Sequence, residues 1–546
     1  MPSNTVTLED KYDSADQPIL INGAQAIVRL LLTQRQRDAA AGYSTAGFVS
    51  GYRGSPVGAL DMALWAAKER LQASGITFMP GVNEDLAAAA VWGTQQLRSL
   101  QEATVDGVFA LWYGKGPGVD RSGDAIKHGN YAGTSEKGGV LVLFGDDHPG
   151  KSSTTAHHSE QAMAANHVPV LYPADVGEFV RFGLLGWAMS RYSGCWVGMK
   201  VVNETVEQTA TVDNVPLPSF ELPDKGELPP EGVHFRGVYA PARDEAILKR
   251  HRLPLVHRFS RANGLDRVVF GVAKHRLGLV SAGKAYQDTM QALQYLGVGA
   301  ERARALGIDL YKVGLIWPLE PQGLRAFAED CEELFFIEEK SAFLEPQAQS
   351  ILYAQPRRPR IVGKHDEAGV ELLPPDLSLD PLELAIQIAA RLQALGLADA
   401  ALVQQLAAAR ALRGAVLPLL QDASKRLPFF CAGCPHNTST HVPEGSLAIS
   451  GIGCHGMALW ARPGTLLGMH MGGEGMNWVG LHRYTAMRHV FQNLGDGTYF
   501  HSGLLAIRQA VASGANITYK ILYNDAVAMT GGQPVDGMLS PAMIAR

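Results

Sequence analysis

Residues 491–532, FQNLGDGTYFHSGLLAIRQAVASGANITYKILYNDAVAMTGG, decide the fold class of this chain. An apolar segment leads into Gly495-Asp496-Gly497, and a helical pattern follows from about Leu504 to Ser513. A second apolar strand, ITYKILY, then ends at Asn524. Strand, helix and strand in this order predict a right-handed crossover between parallel strands, so we expect an α/β protein with parallel sheets flanked by helices.

Two polar side chains follow the two strands of this unit. Asp496 comes directly after the first strand, and Asn524 follows the second, 28 residues further on. The carboxyl ends of adjacent parallel strands meet at one edge of the sheet. Oxygen ligands at that edge suit Mg²⁺. We therefore predict a magnesium site made by the side chains of Asp496 and Asn524 and the backbone carbonyl of Ala526.

The loop between strand and helix is predicted to hold a diphosphate group. Its glycines allow the backbone to approach phosphate oxygens closely. The predicted cofactor-binding residues are Gly495, Asp496, Gly497, Thr498 and Asn524. An ordinary glycine-rich turn is the alternative, but GDG followed at this distance by an asparagine after a strand is typical of thiamine diphosphate enzymes.

A glutamate in a second α/β domain is the further requirement of such enzymes, because a carboxyl group must hydrogen-bond the aminopyrimidine ring. Glu84, in FMPGVNEDLAAAAVWG (78–93), follows a short apolar strand and begins a helix of small residues. An acid favoured by the helix dipole is the alternative. We predict that Glu84 is catalytic and contacts the cofactor.

Three of the five cysteines lie close together in the sequence. CAGCPH (431–436) contains Cys431 and Cys434, and GIGC (451–454) ends at Cys454. Three thiolates at this spacing suit an iron–sulfur cluster or zinc, and we favour [4Fe–4S] beside an electron-donating cofactor. The alternative is three structural thiols. Because Cys195 and Cys331 lie in other regions, the fourth ligand is expected beyond residue 546.

GDDHPGKS (145–152) satisfies the nucleotide-binding P-loop pattern after a strand. Two aspartates in a phosphate cradle, and a proline without an N–H group, argue against that function. We instead expect His148, His157 and His158 to be loop residues that face the active cleft.

Composition excludes several classes of protein. The chain has 546 residues, 46% of them apolar, which predicts several globular domains and excludes disorder as the main state. A net charge of −5 makes it a poor general binder of nucleic acid. No apolar stretch is long enough to span a membrane, and the polar N-terminus has no secretory pattern, so we expect a cytoplasmic protein.

The motifs together resemble those of the thiamine diphosphate-dependent 2-oxoacid:ferredoxin oxidoreductases, most closely the indolepyruvate ferredoxin oxidoreductases. GYRGSPVG (51–58) is similar to the first cofactor loop of that family and puts Ser55 at the position of its hydroxyl residue. VNEDLAAAA (82–90) matches the stretch that carries the catalytic glutamate. Further matches are GVLVLFGDDHPGKSST (139–154), LFFIEEK (334–340), the two cysteine motifs and the two diphosphate loops.

This resemblance implies a multi-domain thiamine diphosphate-binding fold. The predicted segments are a pyrimidine-binding domain (1–205), a linker (206–264), a transketolase-C-like domain (265–350), a helical connector (351–426) and a diphosphate-binding domain (427–546). The last domain stops soon after its final strand, so we expect this chain to be the front part of a longer enzyme.

The resemblance also implies the reaction. A 2-oxoacid, such as indolepyruvate or another aryl pyruvate, would be oxidatively decarboxylated to acyl-coenzyme A, with electrons passed to ferredoxin. The implied partners are a missing acyl-transfer domain or subunit and a second copy of the chain in a homodimer. Two alternatives remain: a non-redox thiamine diphosphate decarboxylase or carboligase, which would have no use for the three cysteines, and an inactive scaffold.

Overall fold

The computed structural model describes residues 7–13, 18–100, 102–150, 153, 155–212, 219–237, 240–329, 331–421, 428–537 and 539–546. The chain forms two compact units. The first consists of Met1–Met79 and Glu84–Asp422, and the second of Pro80–Asn83 and Ala423–Arg546. Glu84 therefore belongs to the first unit, whereas the predicted magnesium and cysteine sites belong to the second.

The first unit contains a seven-stranded sheet. Its strands, in spatial order, are Leu315–Trp317, Val170–Leu171, Val197–Val202, Val140–Asp146, Gly107–Lys115, Thr45–Gly51 and Ile76–Phe78. All pairs are parallel except the first, which is antiparallel. Every residue of the central strand Val140–Asp146 is buried, as expected for a parallel strand covered by helices on both faces. The predicted α/β class is confirmed.

Helices cover this sheet and follow its strands along the chain. The main ones are Gly23–Ala40, Gly58–Ala66, Lys68–Ala73, Glu84–Thr94, Gly116–Ala132, Ser159–Ala165 and Val176–Ser193. Short elements add to them: helices Asp10–Asp13 and Asn203–Val206, the 3₁₀ turn Leu97–Ser99, and strands Ile19–Asn22 and Thr209–Val212, which pair antiparallel.

A five-stranded sheet forms the rest of the first unit. Its order is Arg360–Val362, Glu333–Ile337, Leu277–Ala282, Ile308–Val313 and Arg267–Val268, with only the last strand antiparallel among those described. Its helices are Gly283–Tyr295, Ala300–Leu306, Pro321–Ala328, Leu344–Leu352, Pro381–Ala394 and Ala400–Gln421. Pro381–Ala394 lies in the segment predicted as a connector, yet it buries Leu384, Ile388 and Leu392 in this sheet's core.

The segment 206–264, predicted as a linker, contains ordered structure in its second half. Helices Pro241–Ile247 and Leu253–Ala262 flank a π-helical turn, Leu248–Arg252. Val256 and Phe259 are buried in the core of the first sheet. The residues before these helices are rich in proline and charge, and this led to the prediction of a linker for the whole segment. The five-segment division of the chain stays a prediction.

The second unit is built on a four-stranded parallel sheet. The order is Thr465–Leu466, Ala448–Ile449, Val490–Gly495 and Ile517–Leu522. Its helices are His436–Ser439, Ala458–Ala461, Met476–Leu481, Asp496–Thr498, Leu504–Ser513 and Pro541–Ala545, with shorter turns at Cys454–Met457, His482–Tyr484, Tyr499–Gly503 and Ala528–Thr530. The strand–helix–strand unit predicted from residues 491–532 is confirmed. Among the helices described in either unit, none has the length and hydropathy needed to cross a membrane.

Candidate functional site

Asp496 and Asn524 lie together at the carboxyl edge of the second unit's sheet. Strands Val490–Gly495 and Ile517–Leu522 pair in parallel with Gly495 opposite Leu522, so their loops leave the sheet side by side. The buried carboxylate of Asp496 accepts hydrogen bonds at Oδ2 from the backbone N–H groups of Asn524, at 2.9 Å, and Asp525, at 2.6 Å. One acidic side chain thus joins the two loops.

The donor atoms at this edge fit a magnesium ion. Asp496 also accepts at Oδ1 from the N–H of Gly497 at 2.9 Å, which makes three bonds to a carboxylate that offers about four lone-pair sites. The Asn524 side chain is exposed, and its Oδ1 accepts only a long bond, 3.3 Å, from the N–H of Ala526 among the described contacts. The carboxylate of Asp496 and the amide oxygen of Asn524 are oxygen ligands of the type that Mg²⁺ prefers.

A hydrogen bond connects the glycine-rich loop to the loop that follows the neighbouring strand of the sheet, Ala448–Ile449. Thr498 donates from its hydroxyl to the carbonyl of Ile452 at 3.3 Å, so the loop after Ala448–Ile449 lies beside the loop after Val490–Gly495. The N–H of Gly497 is already used by Asp496. The close approach of this loop to a phosphate group stays a prediction.

Glu84 is a buried acid at the start of helix Glu84–Thr94 in the first unit. The indole N–H of Trp112 donates to its backbone carbonyl at 2.9 Å. Its side chain lies over the first turn of helix Gly116–Ala132, because a Cβ at Gly118 would come within 2.6 Å of Glu84 Cγ and 2.9 Å of Oε1. A helix N-terminus stabilises a carboxylate, and only glycine at position 118 leaves room for this one.

Lys115 is a neighbour of Glu84 that sequence reasoning missed. It ends strand Gly107–Lys115, and its side chain passes over Gly54, where a Cβ would lie 2.8 Å from Lys115 Cδ. Burial lowers the pKa of the Lys115 ammonium, while the nearby carboxylates of Glu84 and Asp147 act in the opposite direction. A lysine directly before the GPG of a strand–helix turn is the signal that could have identified it.

Ser55 lies in the same region of the first unit. It follows strand Thr45–Gly51, which pairs in parallel with Gly107–Lys115. Both strands therefore end at one edge of the seven-stranded sheet, and Ser55 is half-buried there beside Gly54. Ser55 and Glu84, the two predicted site residues of the first unit, therefore lie near the same edge of this sheet.

The loop that imitates a P-loop carries buried charges. Asp146, Asp147 and His148 are all buried, and Lys151 and Ser152 lie outside the described residues. Asp146 accepts from the N–H and hydroxyl of Ser159. His148 lies 3.3 Å from Glu339, which follows strand Glu333–Ile337 of the second sheet, and its expected position facing a cleft stays a prediction. Burial would raise the pKa of Glu339, yet His148 and Lys284 hold it at about 2.

The other two histidines of this loop also pair with acids. His157 lies 3.2 Å from Asp120, and His158 lies 2.8 Å from Glu160. Glu160 in turn accepts from Lys200 at 2.6 Å. These contacts form a charged network within the first unit, and His158, Glu160 and Lys200 also line a small pocket there.

The three clustered cysteines are neighbours in the second unit. The N–H of Cys434 donates to the carbonyl of Cys431 at 3.0 Å, which turns the CxxC loop, and Cys434 Sγ lies 3.3 Å from His436 Nδ1. Burial raises the pKa of the Cys454 thiol, and so do the nearby Cys434 and Cys431. The described residues nonetheless contain no group of three histidine, cysteine or acidic side chains at metal-binding positions.

The remaining cysteines are separate from this group. Cys195 is fully buried in the first unit, where burial raises the pKa of its thiol to about 11. Cys331 donates to the carbonyl of Phe327. Neither lies among the elements of the second unit, as the sequence predicts.

Comparison with known proteins identifies similar chains. The model of the indolepyruvate oxidoreductase domain matches residues 267–415. The IorA subunit of indolepyruvate oxidoreductase from Methanothermobacter thermautotrophicus is 24% identical over 543 residues, which cover 95% of this chain and 79% of that protein. The IorA subunit of Methanothermobacter marburgensis is 25% identical over 518 residues, covering 91% and 75%.

Among solved structures, the 2-oxoglutarate:ferredoxin oxidoreductase of Magnetococcus marinus, with 2-oxoglutarate, coenzyme A and succinyl-CoA bound, has a TM-score of 0.49. The aligned region is 14% identical and covers 69% of this chain and 66% of the Magnetococcus marinus chain.

Proposed function

Since this chain is a relative of the indolepyruvate oxidoreductase subunits, we propose that it is an oxidoreductase that uses thiamine diphosphate to decarboxylate a 2-oxoacid. The product would be an acyl-coenzyme A, and the electrons would pass to ferredoxin. An aryl pyruvate such as indolepyruvate is the proposed substrate. The observation that carries the proposal is the Asp496 carboxylate, which binds the backbone of the loop containing Asn524.

The second unit would hold the diphosphate and its metal. Asp496, Asn524 and the carbonyl of Ala526 are the proposed Mg²⁺ ligands, and residues 495–498 the diphosphate loop. When bound, thiamine diphosphate supplies a carbanion that can attack a 2-oxo group and hold the electrons left by loss of CO₂. The chain's contribution at this edge is to fix the metal ligands, because three backbone N–H groups hold Asp496 in one orientation.

Glu84 is the proposed proton-handling group. Its carboxyl would hydrogen-bond the aminopyrimidine ring and move a proton at a ring nitrogen. The start of helix Gly116–Ala132 and the Lys115 side chain lie beside this carboxyl group. Ser55, at the same sheet edge, would supply a hydroxyl to the cofactor.

Cys431, Cys434 and Cys454 are the proposed ligands of a [4Fe–4S] cluster. The support is their proximity and their donor chemistry. Metal binding would have to draw the loops closer, as is usual when a site forms with its metal. The non-redox decarboxylase remains the alternative, since its chemistry needs none of these thiols.

The partners are also proposals. Ferredoxin and coenzyme A are proposed from the resemblance of the sequence motifs, and the relatives' designation as subunits favours a partner subunit. A second copy of this chain would complete a homodimer.

The experiment is anaerobic turnover with aryl pyruvates, coenzyme A and a low-potential viologen dye. We expect dye reduction and CO₂ release that depend on the 2-oxoacid, and loss of both in Glu84→Gln. Glu84→Gln should still bind thiamine diphosphate but should exchange the thiazolium proton orders of magnitude more slowly. CO₂ release without dye reduction would favour the non-redox alternative, and release of neither would overturn the proposal.

A further inference from the structure

Lys115 is a half-buried lysine whose ammonium group has no hydrogen bond or ion pair with any other described residue. Its backbone stands directly before helix Gly116–Ala132. Its side chain crosses Gly54, where a Cβ would lie 2.8 Å from Lys115 Cδ and 3.1 Å from Cε. A charged group that is partly removed from water costs free energy unless an opposite charge or hydrogen bonds compensate it.

Lys115 lies at the carboxyl edge of the seven-stranded sheet. Its strand, Gly107–Lys115, pairs in parallel with Thr45–Gly51 on one side and with Val140–Asp146 on the other. Loops leave this edge from all three strands, so Lys115 ends between two of them. Ligands of parallel α/β sheets bind outside the carboxyl ends of the strands, which makes this edge the place where a ligand would meet the ammonium.

The carboxylates of Glu84 and Asp147 are near Lys115, but neither forms an ion pair with it among the described contacts. Burial lowers the pKa of the Lys115 ammonium, and these two carboxylates oppose that effect without reversing it. The side chain of Glu84 lies instead over Gly118, in the first turn of the helix that follows Lys115. An anion that bound Lys115 directly would stabilise its charged form.

We propose that Lys115 binds the carboxylate of the 2-oxoacid substrate. In the proposed function, the diphosphate and its metal belong to the second unit, and Glu84 contacts an uncharged ring of the cofactor. The substrate carboxylate is the anion that remains for the first unit, and an ammonium can donate three N–H groups to it. Lys115 would therefore select 2-oxoacids over neutral 2-oxo compounds. This inference rests on the proposed function, since it concerns the binding of that substrate.

The test is calorimetric binding of two unreactive probes to the full chain with thiamine diphosphate and Mg²⁺. 3-Phenylpropionate has the carboxylate of an aryl pyruvate but no 2-oxo group, and 3-phenylpropanamide has a neutral amide in its place. We expect the wild type to bind the carboxylate about 10- to 100-fold more tightly than the amide, as for a hydrogen bond between charged groups. Lys115→Met keeps a long apolar side chain and should abolish this preference. Lys115→Arg keeps a cation and should retain part of it.

Lys127→Met is the matched control. Lys127 lies in the same helix, Gly116–Ala132, but it is exposed and its ammonium lies over the ring of Tyr131. We expect this variant to keep the preference of the wild type. A wild type that binds thiamine diphosphate but shows no preference, or a Lys115→Met variant that keeps it, would overturn the role of Lys115 and leave the proposed function intact. A wild type that binds no thiamine diphosphate would overturn both.

Discussion

Gly118→Ala should displace the carboxylate of Glu84, the proposed catalytic group, without changing the glycine-rich loop of the second unit. A Cβ at position 118 would lie 2.6 Å from Glu84 Cγ, 2.9 Å from Oε1 and 3.0 Å from Cδ. Non-bonded carbon atoms sit about 3.5–4.0 Å apart, so the Glu84 side chain must move by about 1 Å. A misplacement of about 1 Å can slow catalysis by about 100-fold.

The assay is exchange of the thiazolium proton of bound thiamine diphosphate, followed by NMR after acid quenching. We expect exchange in Gly118→Ala to be about 100-fold slower than in the wild type, with unchanged cofactor affinity. The control is Gly123→Ala in the same helix, because its new Cβ would meet only Asn166 Nδ2, at 3.9 Å, among the described atoms. Thermal melting of both variants separates displacement of Glu84 from unfolding, because the new Cβ also crowds a packed site. Equal exchange in the two variants would refute the placement of Glu84.

Three further predictions concern other parts of the chain. Arg252→Met should destabilise the first unit by about 3–5 kcal/mol in thermal unfolding, because the buried guanidinium donates to four backbone carbonyls that would lose their partner; a melting temperature like that of the wild type would contradict this. Cys434→Ser should abolish the visible absorbance of an iron-reconstituted sample and Cys195→Ser should not; equal spectra would exclude the proposed cluster ligands. Burial raises the pKa of Asp266 to about 7, although hydrogen bonds from the N–H groups of Leu315 and Gly314 lower it. The protonated Asp266 therefore contributes fully to the stability of the folded state below pH about 4, and this contribution is lost as the pH rises to about 7. The melting temperature of Asp266→Asn should fall less than that of the wild type over this pH range. Parallel pH profiles of the two proteins would contradict the raised pKa of Asp266.

Local patterns predicted much of the second unit. Helix Leu504–Ser513 and the strands around it follow from apolar periodicity and two glycine-rich turns. The pairing of Asp496 with the Asn524 loop follows from the geometry of one crossover connection, which needs no information from distant residues.

Residues that depend on long-range packing could not be predicted. Lys115 is significant only because its strand ends beside Gly54 and near Glu84, contacts between segments far apart in sequence. The pairing of His148 with Glu339 likewise joins segments 191 positions apart, so no local pattern could predict it.

We propose that the second unit binds thiamine diphosphate through a metal ion held by Asp496. Isothermal titration of the full chain with thiamine diphosphate, with Mg²⁺ or with EDTA, tests it most directly. We predict binding by the wild type that requires Mg²⁺, and loss of that binding in Asp496→Ala. Affinity that is the same with EDTA, or unchanged in Asp496→Ala, would contradict the account.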